Sequence, residues 1–158
     1  MNSDDLSAYL NDHLAGAAGA LELVEHLLKT HGGKPLEQFF RQLHDDIKAD
    51  EATLREFMQM CDVKESVTRK AGAWLAEKFG CAKFSVGGKE SGEFGLLQAL
   101  EALVLGITGK QLLWRAMMES AALREKMDFA ALEKRAQEQR DRLESKRLQT
   151  AQQVFRLE

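Results

Sequence analysis

Proline occurs once in this chain of 158 residues, at Pro35. Around it, apolar residues recur at spacings of three and four over stretches far longer than an ordinary strand. Sandwiches and barrels need many turns and many strand-forming aromatics, and only 7% of these residues are aromatic. The pattern therefore argues against an all-β sandwich or barrel and favours long helices.

The first predicted helix runs from about Asp4 to His31, with Ser3 or Asp4 as N-cap and acids at the positive end of the dipole. Leu6, Leu10, His13, Ala17, Ala20, Val24 and Leu27 form its stripe, widened by Leu14, Leu21 and Leu28. The run Ala15-Gly16-Ala17-Ala18-Gly19-Ala20 is small on every side. Its two glycines cost about 2 kcal/mol of helix propensity, which close packing of a neighbouring helix can offset. Gly32-Gly33 ends this helix and Pro35 opens the next, which runs to about Cys61. Its stripe is Leu36, Phe40, Leu43, Ile47, Leu54, Phe57 and Cys61, and Asp50 falls on that stripe. So short a connection makes the pair an antiparallel hairpin.

Asp62 and Glu65 resemble a cap with a reciprocal carboxylate, opening a shorter helix from about Lys64 to Phe79 that Gly80 stops. Cys81 to Gly92 reads as strand or loop. A third long helix spans about Glu93 to Glu119 and is apolar over more than half its circumference, through Leu96, Leu97, Leu100, Leu103, Val104, Ile107, Leu112, Leu113, Trp114, Met117 and Met118. Such a helix is central. A fourth runs from about Asp128 to Phe155 on a thin stripe of Phe129, Leu132, Ala136, Leu143, Leu148, Ala151, Val154 and Phe155. Lys134–Glu138, Glu138–Arg142 and Arg140–Glu144 support it at the i, i+4 spacing. Helices of this length reach about 40 Å, and the long middle connection can run back along them. The expectation is an all-α, up-down four-helix bundle with one long crossover carrying a short extra helix, in a single domain over residues 1–158.

Net charge is −3, without the basic stripe of a nucleic-acid binder. Cys61 and Cys81 are too few for a disulfide framework, and a reducing, cytoplasmic setting is the simplest reading. The acidic start, Asn2-Ser3-Asp4-Asp5, is unlike a signal peptide. The most apolar stretch, Leu96 to Met118, contains Glu101, Lys110 and Arg115, so it reads as a core helix rather than a membrane span.

The helix order, the segments Tyr9-Leu10-Asn11-Asp12-His13-Leu14-Ala15-Gly16 and Leu105-Gly106-Ile107-Thr108-Gly109-Lys110, the following Leu113-Trp114-Arg115, and Gln139-Arg140-Asp141-Arg142-Leu143-Glu144 resemble a group of small uncharacterised bacterial ferritin-like proteins. The resemblance spans nearly the whole chain and implies the ferritin-like fold, with no assigned activity.

Ferritin-like bundles often hold paired iron or manganese ions through one Glu from each of two helices and a Glu-x-x-His from each of the others. Three residues before His13, His26 and His31 stand leucines, Leu10, Leu23 and Leu28, and before His44 stands Arg41. The last long helix has no histidine. The usual di-metal site is therefore expected to be missing. Polar residues at or beside core positions are His13, Asp50, Glu101 and Gln139. They read as a hydrogen-bonded cluster fixing helix register, with His13 and Asp50 a natural pair. Under an alternative reading, His13, Asp50 and Glu101 would bind iron, manganese or zinc, or a small ligand.

Glu22, Glu25 and His26 read as a solvated outer face, with Asp45 outward and His44 and Asp46 flanking the stripe. Gly87-Gly88-Lys89-Glu90 fails as a phosphate loop, because Lys83 and Glu90 stand where Gly and Ser or Thr are required. The cysteines, Met117, Met118 and the tryptophans read as packing residues, and no serine lies in a Gly-x-Ser-x-Gly context. The chain thus reads as a non-enzymatic structural or interaction protein without a cofactor, a nucleic-acid partner or a membrane anchor. A bundle this small can pair into a homodimer through a helix face.

Overall fold

The computed structural model describes residues 3–33, 35–66 and 92–156. Among these the chain is all-helical and contains no strand. The described residues hold four helices: α1 Ser3–Thr30, α2 Glu37–Met60, α3 Glu93–Glu119 and α4 Phe129–Val154. The expected helix up to Phe79 lies outside the described residues beyond Ser66. The expected strand or loop Cys81 to Gly92 lies outside them but for Gly92 itself.

Contacts gather into two compact units, Met1–Val86 and Gly87–Glu158. In the first, α1 and α2 pack as an antiparallel hairpin, with Glu25 opposite His44 and His31 opposite Phe40. Gly33 takes φ +73 between them, a conformation that costs glycine little, and its amide donates to Glu37 Oε2 at 2.6 Å. The buried stripe of α1 is Leu6, Leu10, Leu14, Leu23, Val24 and Leu27, and that of α2 is Phe40, Leu43, Ile47, Leu54, Phe57 and Met58.

The end of α2 departs from expectation. Asp62 does not cap a following helix, since residues 63–66 are not helical. It sits at φ 55, its amide donating to the Gln59 carbonyl and the Val63 amide to the Met58 carbonyl at 2.9 Å. This is a Schellman ending, with an aspartate where glycine is usual.

In the second unit, α3 and α4 form the other antiparallel hairpin. Trp114 stacks on Phe129 near its closed end, with ring centroids 5.9 Å apart. Asp128 caps α4 by accepting from the Ala131 amide at 3.0 Å. The α3 core comprises Leu96, Leu97, Leu100, Leu103, Ile107, Leu113, Trp114 and Met117. Leu112, Leu148 and Phe155, expected on core stripes, are exposed instead. The apolar arc of α3 is wider than its buried arc, and the thin stripe of α4 leaves its flanking residues uncovered. By length and composition α3 could cross a membrane, and half of its most apolar window is buried within the protein.

Candidate functional site

The polar residues buried inside a hydrophobic hairpin carry the most information, because each must be satisfied by protein groups or bind something else. In the second unit these are Gln111, Gln139 and Thr150. Thr150 donates to the Lys146 carbonyl at 3.0 Å, within its own helix. The two glutamines bridge α3 and α4. Gln111 Nε2 donates to Glu133 Oε1 at 2.5 Å, and Gln111 Oε1 accepts from Arg140 Nη1 at 3.0 Å. Arg115 donates to the same Glu133 oxygen through Nε at 2.9 Å. The Lys110 ammonium donates to Gln139 Oε1.

These bonds place Lys110, Arg115 and Arg140 around the two amides, with Glu133 the carboxylate between them. The hydrogen bond from Gln111, then those from Arg115, hold the Glu133 carboxyl below the usual glutamate range against the opposing effect of desolvation. Further along the hairpin, Arg147 bonds to Glu144 through both carboxylate oxygens at 2.6 Å, lowering that carboxyl and raising the guanidinium.

A di-metal centre does not fit this arrangement. Hard cations need anionic oxygens with free lone pairs. Here both buried amides are engaged, the nearby carboxylate is shared by two donors, and three protein cations would repel an incoming ion.

The sequence candidates divide between the units. Asp50 is buried on the α2 stripe and Gln139 is buried on α4. His13 is half-buried on α1, its ring edge-on to Tyr9 at 4.8 Å. Glu101, expected at or beside the core, is exposed on α3 and contributes to the field around Arg147. On a helix apolar most of the way round, polar spacing does not reveal the inward direction, and it is Gln111 rather than Glu101 that the packing encloses. Among the described residues, no three His, Cys, Asp or Glu side chains gather closely enough to hold a metal. Glu25 is exposed, as expected, but its carboxylate reaches His44 Nε2 of the facing helix at 3.5 Å. Asp45 lies 3.5 Å from the other ring nitrogen.

The first unit also has an open groove of about 380 Å³ along α1, lined by Asp4, Ser7, Asn11, Asp12 and Ser66 among others. Asn11 is its centre. Its Oδ1 accepts from the Ser66 amide at 2.7 Å, and its Nδ2 donates to the Lys64 carbonyl at 3.1 Å and the Ser7 carbonyl at 2.9 Å. One side chain thus holds the segment after α2 against α1 by both edges of its amide. Comparison with protein-family models, curated proteins and solved structures finds no match for this chain.

Proposed function

We propose that this chain is a non-enzymatic structural or interaction protein of ferritin-like type, cytoplasmic, whose helical hairpins have lost the di-metal ligand set. The observation that carries this reading is the set of partners around Gln111 and Gln139. The polar interior of α3 and α4 is closed on itself by Lys110, Arg115, Glu133 and Arg140. Such a network fixes helix register, and its amides and carboxylate are already engaged by protein donors and acceptors. The ferritin-like assignment draws on the order of two long helices, a long connection and two long helices.

Elemental analysis tests the proposal. Protein purified without chelator, then equilibrated with Fe(II), Mn(II) or Zn(II) and desalted, is expected to retain well under one ion per chain. Its thermal midpoint should not respond to chelator. Stoichiometric iron, manganese or zinc that disappears in Asp50→Ala would replace this reading with a metal-binding one built on His13, Asp50 and Glu101.

A further inference from the structure

We draw no further inference here: the strongest candidate, the open groove of about 380 Å³ along α1 lined by Asp4, Ser7, Asn11, Asp12 and Ser66, carries nothing, because its central Asn11 amide is already engaged by Ser7, Lys64 and Ser66 and nothing in the structure shows what covers it.

Discussion

Gln111 on α3 and Glu133 on α4 share a hydrogen bond of 2.5 Å, made by an amide that is only 3% exposed. The other end of that amide takes the Arg140 guanidinium. One neutral side chain thus reads a carboxylate with its nitrogen and a cation with its oxygen, and only one sliding register of the hairpin satisfies both.

Gln111→Leu keeps the volume close and removes both bonds. Arg140 then loses an acceptor and Glu133 keeps only Arg115. A loss of about 1–3 kcal/mol is expected in urea unfolding followed by helical signal. Gln149→Leu, on the exposed side of α4, should stay within about 0.5 kcal/mol. Equal effects from the two would remove any special role for the bridging amide.

Acid should loosen the second hairpin through Glu133. Its carboxyl is held below the ordinary range in the folded chain, first by Gln111 and then by Arg115. The unfolded chain titrates at about 4.3 and takes up the proton first. The stabilisation is therefore complete above that range and drains away as pH falls through the lower folded value. Glu37 and Glu144 shift in the same direction through Gly33 with Arg41 and through Arg147. Thermal midpoints measured from pH 7 to pH 2.5 should fall on the acid side, and Glu133→Gln should flatten part of that fall. Superimposable acid limbs for the two proteins would show that the bond contributes nothing to the linkage.

Asp62 offers a gain. Its φ of 55 is a conformation that a side chain makes costly and glycine adopts freely. Asp62→Gly should raise the urea midpoint by an amount equivalent to about 0.5–1 kcal/mol, whereas Asp62→Val should lower it. A glycine variant less stable than the parent would mean that the carboxylate itself holds the α2 ending.

Helix extents were largely legible from the sequence. The stretch Glu93 to Glu119 is found as expected, and the others begin and end within two residues of the expected places. The reason is physical: Gly32-Gly33, Pro35 and Asp128 mark ends by local backbone chemistry, which needs no tertiary information. Asp50 was legible too, because α2 has one narrow stripe and a clear inward direction. Glu101, Gln111 and Leu112 were not. Their helix is apolar on most sides, so only the packing of α4 against it decides which polar residue is enclosed. The Schellman ending at Asp62 was hidden because aspartate caps either end of a helix, and the sign of φ leaves no trace in composition.

Asn11 has a bearing on how the first unit comes together. Its bond to the Ser66 amide joins positions 55 residues apart, a ring whose closure from an open coil carries an entropy penalty of about 3–4 kcal/mol. Once α1 and α2 lie side by side, nearly all of that intervening chain is already ordered, and only a few residues after Met60 remain to be placed. The Ser66 amide is therefore expected to gain protection only after the two helices have paired, which pulse-labelling hydrogen exchange during refolding would check.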